Sequence, residues 1–250
     1  PVCINLPRNI LANKENFKIN EKNQSFDNQN STKAKFNYIK KAVKIISNSN
    51  KIVIIVGGGI KYNSKYKNVI KLAELLNVPM VTAAGHGDAI PFNHKLNAGQ
   101  MGPRGNPIAS KLVKEAGVII ALGTRLGFNS TFYSYENINR RAKIIQIELE
   151  KSMIGRYFPV VVGINGDAAT VADQLCKEIE KQKIILDIKK WTNSYLNERN
   201  KFLTKRDETK FKNFPIQPNG LFKQLRQVLP KNSAITLDAG TLCLQATDAL

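Results

Sequence analysis

Residues Lys51-Ile-Val-Ile-Ile-Val-Gly-Gly-Gly59 decide the fold. Five β-branched apolar residues run without a polar interruption, so the segment does not alternate between a wet and a dry face. A strand that reads this way is buried on both sides, as the parallel strands of α/β proteins are. The run stops at three glycines, and residues 66–76 then place apolar side chains at helical spacing. A strand, a glycine turn and a helix put the turn at the carboxyl end of the strand, where open α/β sheets bind ligands. The spacing is not G-x-G-x-x-G. The glycines read either as a loop that admits a phosphate or as plain turn geometry.

The same alternation continues downstream. Strands are expected at residues 78–82, 118–122, 142–147 and 160–162. Gly85, Gly87, Gly99, Gly102 and Gly105 mark a long loop, and Pro107 opens a helix with Ile108, Leu112 and Val113 inward. Asp167 opens another, carrying Val171, Leu175 and Ile179. Upstream, Phe36, Ile39, Val43 and Ile46 recur at helical spacing. Strands alternating with helices predict right-handed βαβ units in an α/β, doubly wound, mainly parallel six-stranded sheet flanked by helices, a Rossmann-like arrangement.

The flanks differ. Residues 1–6 read as a strand and 13–33 as a polar, Asn/Lys-rich linker. Past Lys183, the residues Ile188, Trp191, Tyr195 and Phe202 suit one charged helix, and 205–212 reads as a second linker. Leu221, Phe222, Leu225 and Val228 suit a further helix, and 234–237 a strand ending in Asp238-Ala-Gly-Thr241. The chain opens on Pro1 without an initiator Met and stops at Leu250, from which a piece of a longer polypeptide is expected.

Composition narrows the function. The formal charge is +19, with a pI near 9.9. The lysines are spread among asparagines over most helices and linkers rather than gathered into an arginine-rich stripe or interleaved with aromatics, so nucleic-acid binding is not expected. No run of eighteen apolar residues crosses a membrane, and no signal-peptide pattern opens the chain. Cys3, Cys176 and Cys243 make neither a disulfide framework nor a zinc cluster, which suits a cytoplasmic setting. His86 and His94 lack metal-pair spacing, so no metal site is expected within the chain.

Several motifs, in order and at suitable separations, resemble one family. Pro1-Val-Cys-Ile-Asn-Leu-Pro7 resembles the last strand of the pyrimidine-binding domain of thiamine-diphosphate enzymes of the acetolactate synthase type. Val56-Gly-Gly-Gly59, Gly87-Asp-Ala-Ile-Pro91 with His94, Gly123-Thr-Arg-Leu126, Ile145-Gln-Ile-Glu-Leu-Glu150, Ile154-Gly-Arg156 and Gly166-Asp-Ala168 resemble the central domain. Leu229-Pro230 and Thr236-Leu-Asp-Ala-Gly-Thr241 resemble the opening of the diphosphate-binding domain. The resemblance implies domains at 1–12 (end of the pyrimidine-binding domain), 13–34 (linker), 35–185 (central α/β domain), 186–214 (charged helical linker) and 215–250 (start of the diphosphate-binding domain).

It also implies a 2-keto acid decarboxylase or carboligase that uses thiamine diphosphate and Mg²⁺ and works as a homo-oligomer on a small substrate. The catalytic glutamate and the magnesium site would lie outside residues 1–250, so the piece alone is expected to be inactive. The stretch Gly85-His-Gly-Asp-Ala-Ile-Pro91 is also similar to sulfoacetaldehyde acetyltransferase. A stand-alone nucleotide-binding module and a basic nucleic-acid-binding protein are the rival readings.

Candidate site residues follow from both sources. Ala239, Gly240 and Thr241 match the family's contact to thiamine diphosphate, and a glycine past a strand end suits an anion. Leu242 stands where synthases often carry a polar residue. Gly57, Gly58 and Gly59 would face the pyrophosphate of the FAD or ADP that some members hold in the central domain. Arg125 ends a buried strand and either contacts that cofactor or pairs with a neighbouring loop. Glu148, with Glu150 as substitute, could accept hydrogen bonds from ribose hydroxyls. Asp167 either serves an adenine amino group or caps its helix. His86 sits in Ala84-Gly-His-Gly87, a loop that either lines the active-site approach or, as the blander reading, lies at the surface. Gly99, Gly102, Gly105 and Arg104 form a loop that either touches FAD or is simply mobile.

Overall fold

The computed structural model describes residues 8–14, 33–61, 65–103, 105–210, 214–230, 232–238 and 240–250. The expected strand at 1–6, most of the first linker, Arg104 and Ala239 lie outside them. Residues 1–30 form one unit, whose described part includes the short helix α1 (Arg8–Leu11), and residues 31–250 form the second.

The second unit is built on six parallel strands: β1 (Ile52–Val56), β2 (Met80–Thr82), β3 (Asn97–Gln100), β4 (Val118–Leu122), β5 (Lys143–Glu148) and β6 (Val162–Asn165). They lie in the order β3-β2-β1-β4-β5-β6. This is the doubly wound arrangement expected from the alternation. The strand order reverses between β1 and β4, so the chain parts there and leaves a crevice at the strands' carboxyl ends.

Each face of the sheet carries its own core. Ile52, Ile54 and Val56 of β1 point to one side with Ile120, Leu122, Ile145 and Ile147. They meet α2 (Phe36–Ser47) through Ile39, Val43 and Ile46, α3 (Lys67–Leu76) through Leu72 and Leu76, and α6 (Ala168–Gln182) through Val171, Leu175 and Ile179. Val53, Ile55, Ile119 and Ala121 point the other way, against Ala109, Leu112 and Val113 of α4 (Pro107–Glu115) and Tyr195 of α7 (Lys189–Asp207). Period-two side chains with both faces covered account for the unbroken apolar runs of β1 and β4. Cys176 is wholly buried on α6, and burial pushes its thiol up to about 12, so it packs as a small hydrophobe.

Several expectations need correction. The long loop contains a strand, β3, hidden because its residues are Asn97, Ala98, Gly99 and Gln100. The strand expected at 160–162 lies instead at β6, where Val162 and Ile164 face the core. Within α4 the inward residues are Ala109, Leu112 and Val113, and Ile108 is only partly covered. The second polar linker begins later, because α7 runs to Asp207. Residues 234–237 pair with no strand among the described residues, and Ile235 and Leu237 are exposed; alternation without a neighbour to bond does not make a strand.

Trp191 and Thr192 at the start of α7 tie the helix to the amino end of the sheet, the indole Nε1 donating to the Ile52 carbonyl at 2.9 Å and the Thr192 hydroxyl to the Asn77 carbonyl at 2.7 Å. Beyond it, α8 (Pro218–Val228) and α9 (Thr241–Ala249) pack together through Phe222, Leu225, Ala246, Ala249 and Leu250. Val228 of α8, expected inward, is 69 % exposed.

Candidate functional site

A cleft of about 570 Å³ opens at the carboxyl ends of β1, β4 and β5. Gly58 and Gly59 line it after β1, Gly123 and Arg125 after β4, Glu148 at the end of β5 with Glu150 just beyond, and His86 from the turn after β2. The fold thus brings Gly58, Gly59, Arg125 and Glu148 together, four of the residues singled out from sequence.

The glycines are explained first by packing. A Cβ on Gly57 would collide with the Gly123 carbonyl, and one on Gly59 would lie 2.8 Å from Gly123 Cα. Real Cβ atoms do not tolerate either distance, so the turns after β1 and β4 can only touch because these residues are glycine. Their amides are also engaged, Gly57 N donating to the Leu122 carbonyl at 2.9 Å and Gly59 N to the Gly123 carbonyl at 3.0 Å. For the Gly58 amide no such acceptor is found among the described residues. Gly58 is covered by His86, whose ring Cε1 would stand 2.6 Å from a Cβ placed there.

His86 is therefore part of the cleft wall rather than a free surface residue. Its Nδ1 is buried without a partner. Burial, and then the charge of Lys61, hold its pKa below the ordinary value of 6.5, with Asp88 opposing, so the ring is neutral near pH 7. His94 plays a structural part instead: Nδ1 accepts from Leu96 N at 3.2 Å, and Nε2 lies 3.3 Å from Glu74 Oε1.

Arg125 projects into solvent at the cleft mouth and forms no salt bridge among the described residues. The strand ends before it, which spares its charge the burial that would have demanded a partner. Glu148 is buried, and its Oε1 accepts from Leu149 N at 3.0 Å. Glu150 accepts from Ser152 N at 3.1 Å and Ser152 Oγ at 2.8 Å, which holds its carboxyl below the usual range. Phe128, half-exposed at the start of the short helix α5 (Phe128–Thr131), forms the rim.

Asp167 lies outside this cleft. Its Oδ1 accepts from Thr170 N at 2.7 Å, capping α6. Gly240 and Thr241 also lie apart from it, at the amino end of α9. A Cβ on Gly240 would meet nothing within 4 Å, so an anion has room to approach, but no described side chain encloses that place. Gly99, Gly102 and Gly105 pack against Asn106, Asn129 and Gln100, so that loop is part of the packed structure. Among the described residues no group of three His, Cys, Asp or Glu could hold a metal ion, and no helix is long and apolar enough to cross a membrane.

Residues that sequence reasoning passed over hold the cleft in shape. Gln146 of β5 donates through Nε2 to the Thr124 carbonyl at 3.2 Å and accepts at Oε1 from Gly155 N at 2.8 Å. Ser130 Oγ accepts from Ala84 N at 3.0 Å, and Gln100 Oε1 from Gly85 N at 3.0 Å. No motif announces them. A polar residue in a strand predicted to be buried, as Gln146 is, was the available signal.

Comparison with known proteins agrees with the geometry. The family described as thiamine pyrophosphate enzyme, central domain, matches residues 39–175. The chain is 30 % identical over 246 residues to the acetolactate synthase large subunit of Buchnera aphidicola subsp. Schizaphis graminum, covering 96 % of this chain and 42 % of that protein. It is 27 % identical over 221 residues to sulfoacetaldehyde acetyltransferase of Castellaniella defragrans, covering 80 % and 37 %. The probable acetolactate synthase large subunit of Methanococcus aeolicus is 28 % identical over 215 residues, covering 81 % and 35 %. The chain thus spans about two fifths of the length of these relatives. With six parallel strands in doubly wound order and a crevice at the point where that order reverses, the chain belongs to the thiamine pyrophosphate enzyme family, whose central domain it carries.

Proposed function

We propose that the protein takes part in thiamine-diphosphate-dependent carbon–carbon chemistry on a small 2-keto acid, as a decarboxylase or carboligase of the acetolactate synthase type. The observation that carries this reading is the family match over residues 39–175 together with relatives of that name over most of the chain. Residues 1–12 would close a pyrimidine-binding domain, 35–185 form the central domain and 215–250 open a diphosphate-binding domain, in a cytoplasmic homo-oligomer.

Thiamine diphosphate with Mg²⁺ supplies the electron sink for decarboxylation, while the protein supplies orientation and electrostatics. Gly240 and Thr241 would hold one edge of the diphosphate, Gly240 by leaving room and Thr241 by its place at the start of α9. Ala239 would be the third contact. These residues fit the group on that side only.

The central cleft would hold a nucleotide, FAD or ADP. The Gly58 amide, which has no acceptor among the described residues, and the solvent-facing Arg125 suit a diphosphate, and Glu148 stands at the end of the neighbouring strand, where ribose hydroxyls are commonly met. Glu148 already accepts from Leu149 N, which leaves its second oxygen for a ligand. Asp167 would act only through the position of α6.

A second reading, sulfoacetaldehyde acetyltransferase activity, is favoured by the relatives of that name and by Gly85-His-Gly-Asp-Ala-Ile-Pro91. The test uses the full-length protein loaded with thiamine diphosphate and Mg²⁺. Acetolactate formation from pyruvate supports the first reading, consumption of sulfoacetaldehyde with pyruvate left untouched supports the second, and inertness toward both overturns both. Heat release of bound nucleotide, identified by absorbance and chromatography, tests the cleft: FAD or ADP is expected, and a purified protein that neither carries nor takes up either removes that assignment.

A further inference from the structure

The turn after β2 stands between the cleft and α9 and touches both. On one side His86 covers Gly58 in the cleft wall. On the other, Gly87 lies against the backbone of Thr247 so closely that a Cβ would collide with its carbonyl. Between them, Gln100 at the end of β3 is 1 % exposed and reaches both ways. Its Oε1 accepts from Gly85 N at 3.0 Å, and its Nε2 donates to the Leu244 carbonyl of α9 at 3.2 Å. Its backbone N donates to Asp248 Oδ1 at 2.8 Å. Asp248 Oδ2 in turn meets Arg206 Nη1 of α7 at 3.3 Å.

From this we infer that Gln100 is a positioning residue that makes the cleft turn and α9 move as one body, so that occupancy of the cleft sets the place of Thr241. The inference rests on the proposed roles of the cleft and of Gly240–Thr241. The physical reason is the absence of slack. Gly85 N and the Leu244 carbonyl share one buried amide group, and a buried amide that loses either partner bears the desolvation cost of an unmade hydrogen bond. Nor can the turn slide freely past α9, because Gly87 touches helix backbone rather than a flexible side chain. A helix of nine residues transmits a shift along its axis with little bending, and Thr241 is its first residue. A ligand that shifts the backbone of the turn at His86 shifts Gly85, and with it Gln100 and α9, or breaks the hydrogen bonds that join them.

Two ligands coupled in this way change each other's affinity by the same factor, commonly about 5- to 150-fold. The experiment measures the Kd of thiamine diphosphate, with Mg²⁺, for the full-length protein by calorimetry, with and without saturating ADP, and the Kd of ADP with and without thiamine diphosphate. In the wild type both ratios are expected to agree and to exceed about fivefold. Amide exchange in residues 241–249 is expected to change on adding ADP alone. Gln100→Leu, which removes both side-chain bonds, is expected to bring the ratio below about twofold and to abolish the exchange response, with each ligand still binding separately. Gln100→Glu keeps the acceptor for Gly85 N, loses the donor to Leu244, and is expected to fail in the same way. Asp248→Ala removes the bond that α9 makes to the Gln100 backbone N of β3 while keeping the Gln100 side chain, and supplies the test should the Gln100 variants not fold. A Gln100→Leu or Asp248→Ala protein with the wild-type ratio overturns the inference, as does a wild type that binds both ligands without mutual effect. Failure of ADP to bind the wild type at all overturns the cleft assignment as well, which separates the two failures.

Discussion

Gly59→Ala and Gly127→Ala both add one methyl group to the cleft lining, and the account assigns them opposite outcomes. At Gly59 the new Cβ would stand 2.8 Å from Gly123 Cα and 3.0 Å from Gly123 O. Carbon pairs rest at about 3.5–4.0 Å, so the overlap is roughly 0.7 Å or more, against backbone rather than a pliable side chain. The turns after β1 and β4 must then part at the strand-order reversal, where Val56 and Leu122 hold register. Over-packing of this kind costs about 1–3 kcal/mol. At Gly127 a Cβ meets nothing within 4 Å, and φ is −73°, which any residue adopts. The alanine there is expected to be neutral, or to stabilise by about 0.4–1 kcal/mol by restricting the unfolded chain. Urea unfolding of the nucleotide-free protein, followed by far-UV circular dichroism, separates them: with a slope near 3 kcal/mol per molar, Gly59→Ala lowers the midpoint by roughly 0.3–1 M. An unchanged midpoint for Gly59→Ala would refute the packing argument and return the glycines to a purely ligand-driven role. A loss of more than about 1 kcal/mol at Gly127 would refute the stated geometry of the rim.

Three further outcomes are expected. Arg125→Ala should leave stability within about 0.5 kcal/mol, since the side chain is exposed and makes no salt bridge among the described residues, while weakening ADP about 10- to 100-fold by calorimetry; equal affinity would remove Arg125 from the site. Asp167→Ala should cost about 1 kcal/mol through the lost α6 cap and leave ADP affinity unchanged, so a fall in affinity without a fall in stability would contradict its placement. His86 holds its proton less readily when folded than at its ordinary value of 6.5, so between that pH and its lower folded value the unfolded chain binds more protons. Stability should therefore fall as pH drops below about 6.5, with Lys61 adding to the effect and Asp88 opposing it, and His86→Gln should flatten that part of the profile. A profile identical in the two proteins would show the ring to be freely solvated.

How far the sequence could be read depends on what each segment's neighbours supply. β1 and β4 were legible because helices cover both faces of their sheet, which forces every residue of each run to be apolar. β3 was not, because its polar side chains are buried by bonds to residues elsewhere in the chain: Asn97 Nδ2 donates to the Pro91 and Phe92 carbonyls, and Gln100 reaches Gly85 and Leu244. Such a strand has no hydrophobic signature. Residues 234–237 mislead in the opposite direction, having the pattern of a strand without a partner. In the cleft, Gly58, Gly59, Arg125 and Glu148 could be grouped because a parallel sheet gathers the ends of its strands. Asp167 follows β6, and its carboxylate is taken up by the first turn of α6. Gln146 showed only as a polar residue within an apolar strand, and Ser130 and Gln100 gave no signal, because their partners lie far off in sequence and are set by how the sheet is assembled.

A crystal structure of the full-length protein with ADP and thiamine diphosphate bound tests the central claim most directly. The account predicts the ADP diphosphate in the crevice between β1 and β4, within hydrogen-bonding distance of the Gly58 amide and beside the Arg125 guanidinium, and the thiamine diphosphate at Gly240 and Thr241. ADP seated elsewhere with that crevice closed by the protein's own chain, or a thiamine diphosphate remote from the amino end of α9, would contradict it.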